Sequence, residues 1–415
     1  MIRIGICGLG TVGGGTFNIL KRNYNEIFRR IGRPIIIEQI GTRSDNQICN
    51  LTGSKVTRNI FEVVRNHKVD YVVELIGGGK VARKLVVEAI NNKKHVVTAN
   101  KAMIAIQGKE IFCAAEKRGV MVAFEAAVAG GIPIIKSLRE GLCANRINSI
   151  AGIINGTVNY ILTKMKNGIA GEEILNKAKV LGYAEEDPTL DIEGIDTAQK
   201  LTILASIAYG IPLQFEKIYI EGIKGITIED VKQAEKLGYN IKHLGISKRK
   251  KKGIELRVHP VMIPKKRLIS NVKGVKNAIE INGDAVGATL YVGIGAGSEP
   301  TASAIVADLL DVSRDHYLAF SNMEKLPILP IDQIITEYYL RFMLLSFNMI
   351  GQVANIFYKQ GIRIKHLIQI KTVSSIVIII LTYSTKESNM KLAIGKIEST
   401  NGIVGHITRI RVEKI

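Results

Sequence analysis

The chain has 415 residues, with 57 Lys and Arg against 37 Asp and Glu, so its formal charge is +20, and 47% of it is hydrophobic. At roughly 150 residues per domain this length allows two or three domains with real cores, and the apolar content excludes a mainly disordered chain. The longest apolar run, residues 376–381, falls far short of the ~18 residues that a membrane span needs. Met1 leads straight into a strand pattern, which reads as no signal peptide. Four cysteines (Cys7, Cys49, Cys113 and Cys143) without CxxC spacing read as reduced thiols of a cytoplasmic protein, not as a disulfide framework or a zinc site.

Residues 1 to about 130 alternate strand and helix. Apolar runs stand at Ile2–Cys7, 35–40, 71–76 and His95–Thr98. A Gly-rich turn and a helical stretch to about Ile31 follow the first run, and helix-length segments stand at 81–91 and 107–118. This order predicts a parallel sheet with crossover helices. From about 131 to 299 the pattern becomes α+β, with strand-like runs at 147–154, 254–261 and 277–282 and helices at 170–181 and 197–208. The block Lys248-Arg249-Lys250-Lys251-Lys252 ends at Gly253 and reads as a solvated hairpin turn between 241–246 and 254–258. No aromatic residue interleaves with that block, so neither nucleic acid nor a membrane surface is the expected partner. A helix over 300–320 begins with Pro300, as N1 prolines do, and is expected to pack back on the first domain. Two prolines at 326–330 mark a linker over 321–333. Beyond it a β-α-β pattern occupies 338–345, 350–360, 363–369 and 375–382.

Gly8-Leu9-Gly10-Thr11-Val12-Gly13 follows the first strand and opens a helix. In such a turn the first Gly makes the bend, the second lets a pyrophosphate approach the backbone, and the third permits close helix packing. The spacing therefore predicts a Rossmann dinucleotide-binding domain over 1–130. The second strand ends Gly41-Thr42-Arg43 without the acid that binds a ribose 2′-hydroxyl, and Glu38 stands too early. Arg43 suits a 2′-phosphate through its guanidinium fork, so NADP is expected, with NAD as the alternative.

Thr98-Ala99-Asn100-Lys101 stands at the C-terminal end of the fourth strand, where open α/β sheets place ligands. Further on, Leu181-Gly182-Tyr183-Ala184-Glu185-Glu186-Asp187-Pro188 is followed by Asp191 and Asp196, with Lys200 four residues beyond Asp196. That spacing puts Asp196 and Lys200 on one helix face. The helix is apolar nearly all round and so reads as buried, which leaves its charges in need of partners. Burial also draws a Lys pKa toward the range in which it exchanges protons. Carboxylates at 185, 191 and 196 suit an ammonium group.

These residues resemble the homoserine dehydrogenase family over roughly residues 1–320. The matching motifs include 8–16, Val73-Glu74-Leu75-Ile76-Gly77-Gly78, 98–101, 132–141, 152–160, 182–188, 191–201 and Gly295-Ala296-Gly297-Ser298-Glu299-Pro300. The resemblance implies NAD(P)-linked interconversion of L-aspartate 4-semialdehyde and L-homoserine, on the route to threonine, isoleucine and methionine. It implies Lys200 as proton donor and acceptor, with Lys101 as a second active-site lysine near nicotinamide and substrate. Gly182, Glu185, Asp191 and Asp196 would then bind substrate. Gly8, Gly10, Thr11, Val12, Gly13, Arg43, Lys101 and Gly297 would bind the cofactor. It also implies a monovalent cation, sodium, on Glu125 and the carbonyls of Val128, Gly130 and Ile132. Residues 131–299 would form a substrate-binding and dimerisation domain in a homodimer or homotetramer. The tail, 334–415, resembles an ACT-like regulatory domain, but it has Ser346-Phe347-Asn348-Met349-Ile350-Gly351 where that family carries an acid followed by Pro-Gly. Threonine feedback is therefore not expected. Two rival readings are a thioester-forming semialdehyde enzyme, for which Cys143 has no activating neighbour in sequence, and a basic nucleic-acid-binding protein.

Overall fold

The computed structural model describes residues 1–43, 49–51, 53–169, 171–313, 323–324, 326–372 and 375–414. The first unit runs β1 (Ile2–Cys7), α1 (Thr11–Arg22), α2 (Tyr24–Ile31), β2 (Ile35–Gly41), β3 (Val56–Thr57), α3 (Ile60–Arg65), β4 (Tyr71–Glu74), α4 (Lys80–Asn91), β5 (His95–Thr98), α5 (Lys101–Arg118) and β6 (Val122–Ala123). Its strands form one sheet in the order β3-β2-β1-β4-β5-β6, with every pair parallel. The two-residue period of the strands decides which side each residue serves. Val72 and Val96 pack toward Val63, Leu85 and Ile104 of α3, α4 and α5, whereas Val73 and Val97 face Ile19 and Leu20 of α1. The helix read as continuous to Ile31 breaks at Asn23 into α1 and α2.

Next come α6 (Ile134–Lys136), β7 (Ile147–Ile153), α7 (Gly156–Met165), α8 (Gly171–Val180), α9 (Thr189–Ile192), α10 (Ile195–Tyr209), β8 (Tyr219–Ile220), α11 (Ile228–Lys236), β9 (Tyr239–Lys250), β10 (Gly253–Pro264), β11 (Lys276–Gly283), β12 (Gly287–Ile294) and α12 (Ser298–Val312). The sequence pattern did not reveal α7, α11 or β12. α12 returns to the first unit, where Ile305 and Leu309 join Ile19 and Leu20 in one core. Gly15 permits that contact, because a Cβ there would stand 2.4 Å from Ser298 Oγ. Residues 314–320 of the expected helix lie outside the described residues, as does Ala170 at the start of the expected 170–181 helix.

The basic block does form a hairpin turn, between strands longer than expected, but it is not wholly solvated. Lys248 Nζ bonds Glu413 Oε2 at 2.8 Å, and the Arg249 guanidinium lies over the Tyr209 ring. Of the expected linker, residues 321, 322 and 325 are outside the described residues. Its proline-rich part lies along the start of β10, with Ile254 N donating to Pro327 O and Leu329 N to Ile254 O.

The tail runs β13 (Ile335–Leu344), α13 (Met349–Lys359), β14 (Ile364–Lys371), β15 (Ile376–Thr382), β16 (Thr385–Lys386), α14 (Glu387–Glu398) and β17 (Ile403–Val412). A final helix and strand thus complete the expected β-α-β pattern as βαββαβ, with the sheet order β17-β13-β15-β14 of a split βαβ unit. This sheet does not stand alone. β17 pairs parallel to β10 (Val261↔Arg411, Met262↔Val412), so among the described residues an 11-stranded sheet runs β12-β11-β7-β9-β10-β17-β13-β15-β14, with β8 and β16 attached.

Candidate active site

The nucleotide groove grows out of the first turn. Gly8 has φ +99°, and a Cβ there would stand 2.5 Å from Leu75 O. A Cβ on Gly13 would stand 2.1 Å from Gly8 O, which makes this the close-packing glycine, while Gly10 meets nothing within 4 Å. Gly10 caps α1 without a side-chain bond, and α1 has no acid in its first turn. The helix therefore presents free N–H groups and a positive dipole end to an anion. A cavity of about 650 Å³ is lined here by Gly8, Gly10, Gly41, Arg43 and Gly77–79. Gly297, at φ +122°, caps α12 beside it, and Ser298 Oγ donates to Thr11 O at 2.7 Å. Both helix starts thus meet at one place.

A second cavity of about 650 Å³ shares Leu75 and Gly77–79 with the first and adds Val12, Glu74, Lys101, Glu185, Asp187, Asp191, Asp196 and Gln199. Asp196 joins two lysines: its Oδ2 accepts from Lys200 Nζ at 2.7 Å, and its Oδ1 lies 3.2 Å from Lys101 Nζ. Lys200 also donates to Ile154 O at 2.8 Å, so the buried charges expected to need partners have them. Burial alone would raise the Asp196 pKa, but the two ammonium groups and the Asn155 amide bring it down to about 2. Burial depresses Lys101, yet Asp196, Asp191 and Glu185 together hold it above its ordinary value. Asp191, by contrast, is raised, first by burial and then by Asp196.

The predicted residues do not all converge. Lys200 is not on the cavity wall and meets it through Asp196. Gly182 closes the turn after α8, where its N–H donates to Lys179 O, and it does not line the cavity. Glu185 is exposed at the rim. Glu125, Val128, Gly130 and Ile132 lie buried behind the site. There the Glu125 oxygens accept from Ile135 N and Lys136 N, each at 2.8 Å, and Gly130 packs on Gly295 two residues before Gly297. Burial is the first cause that pushes Glu125 up to about 7.

Two polar residues bonded into the site, Asn155 and Glu74, were not among the expected site residues although both lay in quoted motifs. Asn155 donates to both Asp191 and Asp196. Glu74, fully buried, accepts from Thr98 Oγ1 at 2.6 Å and from Ile76 N and Gly77 N, which ties the loop after β4 to the end of β5. A polar residue at each strand end was the available signal.

Residues 8–125 match the family described as homoserine dehydrogenase, NAD binding domain, and residues 133–310 match homoserine dehydrogenase. The chain belongs to the homoserine dehydrogenase family. It is 53% identical to the homoserine dehydrogenase of Pseudomonas aeruginosa, over 100% of this chain and 99% of that one. It is 48% identical to that of Neisseria gonorrhoeae over the same shares. The crystal structure of a homoserine dehydrogenase from Thiobacillus denitrificans superposes with a TM-score of 0.95 at 52% identity, covering 100% of this chain and 98% of that one. A hyperthermophilic archaeal homoserine dehydrogenase in complex with NADPH gives a TM-score of 0.65 at 27% identity over 75% of this chain. The enzyme is thus an oxidoreductase that interconverts L-aspartate 4-semialdehyde and L-homoserine with a nicotinamide cofactor. Among the described residues no helix is long and apolar enough to cross a membrane.

Proposed function

We propose that Lys200 is the proton donor and acceptor of this reaction and that NADP is the preferred cofactor. The observation that carries the first part is the Lys200–Asp196–Lys101 array, of which Asp196 and Lys101 line a cavity that abuts the nucleotide groove. A lysine ammonium has three N–H bonds, and two of those on Lys200 go to Ile154 O and Asp196, which leaves one for the substrate oxygen. A nicotinamide dinucleotide held along Gly8, Gly10 and Arg43 would supply or accept the hydride. Glu185, Asp191 and Asp196 hold the substrate ammonium, and Lys101 holds the carbonyl end in line. A second reading gives the proton to Lys101, because Lys101 lines the cavity and Lys200 does not. Following reduced-nicotinamide absorbance with L-homoserine separates the two. Lys200→Ala should lower kcat by about 10²–10⁴-fold with cofactor affinity held. A preserved kcat in that variant, with the loss appearing in Lys101→Ala, would transfer the role.

The cation chemistry also fits. Among the described residues no cluster of three or more His, Cys, Asp or Glu is placed to hold a metal. Ligation would therefore rest on Glu125 and the carbonyls of Val128, Gly130 and Ile132, an all-oxygen set suited to a hard ion such as sodium. The buried Glu125 charge, with Asp308 and Asp311 nearby, is one that a cation would offset. The domain division at 130, 299 and 333, a cytoplasmic location and a homodimer or homotetramer belong to the same reading. So does an ACT-like tail, which the βαββαβ order supports.

A further inference from the structure

Asn155 commits both of its amide N–H bonds and its carbonyl oxygen at the site. One amide N–H goes to Asp191 Oδ1 at 2.7 Å and the other to Asp196 Oδ2 at 2.9 Å, while its Oδ1 accepts from Val158 N at 2.8 Å as the N-cap of α7. The side chain is buried. Two carboxylates this close repel, and both stay ionised only where donors or cations face them. Asp196 has Lys101 and Lys200. Among the described residues, the Asp191 carboxylate has Asn155 as its hydrogen-bond donor.

The amide is itself held firmly. One turn along α7, Asn159 donates to the carbonyls of Val272, Gly274 and Lys276 and accepts from Lys242 Nζ at 3.0 Å. The start of α7 is therefore fixed from the sheet side, and Asn155 is presented to the carboxylates by a rigid element.

We propose that Asn155 is a positioning residue, a clamp whose single amide holds Asp191 and Asp196 side by side so that both face the substrate ammonium. This rests on the reading of those two carboxylates as the ammonium site. The other charged or titratable groups facing the pair are Lys101 from α5, Lys200 from α10, and Glu185 and Asp187 from the loop before α9. On β9, His243 is held neutral by burial, its pKa lowered to about 4.

Two variants separate the clamp from the helix cap, because Asp and Ser both cap well. Asn155→Asp keeps the shape and the cap but turns both donors into acceptors, and Asn155→Ser keeps the cap but is too short to reach both carboxylates. In each, kcat/KM for L-homoserine should fall by about tenfold or more. Cofactor affinity, read by fluorescence titration, should stay within about twofold, the nucleotide groove being untouched. The acid limb of the kcat/KM profile should move to higher pH by about half a unit or more, most in Asn155→Asp, because the donors favour the ionised carboxylates. An unmoved acid limb in folded variants, or a loss of cofactor affinity equal to the loss of kcat/KM, overturns the clamp. Asp191→Asn and Asp196→Asn are measured alongside. If they lower kcat/KM while the Asn155 variants do not, only the clamp fails; if they too leave it unchanged, the ammonium-site reading fails and takes the clamp with it.

Discussion

Asp196 is a carboxylate shared by two lysines and one amide, and each partner comes from a different place in the chain. The pair with Lys200 was legible from the four-residue spacing on a helix apolar all round. The bond to Asn155 was not, because nothing local brings residues 155 and 196 together. Arg43 shows the opposite case, a residue chosen by what the second strand lacks. It lines the nucleotide cavity with Gly8 and Gly10. Arg43→Ala should therefore raise the KM for NADP by about tenfold or more and barely change that for NAD, a difference of about 1.4 kcal/mol in binding the 2′-phosphate. Steady-state kinetics with both cofactors checks it, and equal effects on the two would remove the argument for NADP.

At the scale of elements, the strands of the first unit were readable because parallel strands buried on both faces form short apolar runs. α7 was not, since the Asn155-Gly156 pair at its start reads equally as a hairpin turn. β9 carries a residue that only its packing explains. Lys242 is buried, donates to Asn159 Oδ1 and Val272 O, and among the described residues has no carboxylate partner; burial, helped by Lys166 and Lys273, lowers it to about 7 from the ordinary 10.5. The unfolded chain then binds more protons than the folded one between those two values. The penalty for this group is complete below about pH 7 and is relieved as pH rises toward 10.5. In urea titrations, wild-type stability minus that of Lys242→Met should accordingly rise with pH across this window, by at most about 1.4 kcal/mol per pH unit. A difference that stays flat would show that Lys242 has its ordinary pKa.

At the scale of the molecule, the tail is continuous with the substrate-domain sheet, and the seam between them is charged. Arg411, fully buried, bonds Glu387 at 2.6 and 2.8 Å and Glu221 at 2.9 Å, while Arg257 meets Glu413 at 2.7 Å. Arg411→Leu leaves Glu387 and Glu221 with Arg409 as the one cation that, among the described residues, still pairs with both. It should cost about 3–5 kcal/mol in denaturant unfolding, the amount typical of breaking a buried pair. A loss below about 1 kcal/mol, the range of surface pairs, would mean that water reaches the seam. As for regulation, the turn into α13 is built from Ser346, Phe347 and Asn348 without a Pro-Gly. Calorimetry with threonine should show no saturable heat, and saturable binding would restore feedback control.

The glycine turn, the alternation of strand and helix before residue 130, the Asp196–Lys200 helix and the motifs that mark the family are all written in the order of the residues. Each of these is local, set by backbone freedom at Gly8 or by a period of two or 3.6 residues. Assembly of the fold was needed to show that Asn155 joins Asp191 to Asp196 and that the tail extends the central sheet through β17 beside β10. Those contacts join segments far apart in the chain, such as Val261 with Arg411. Burial in the assembled fold, and not any local pattern, sets which partners their polar groups must find.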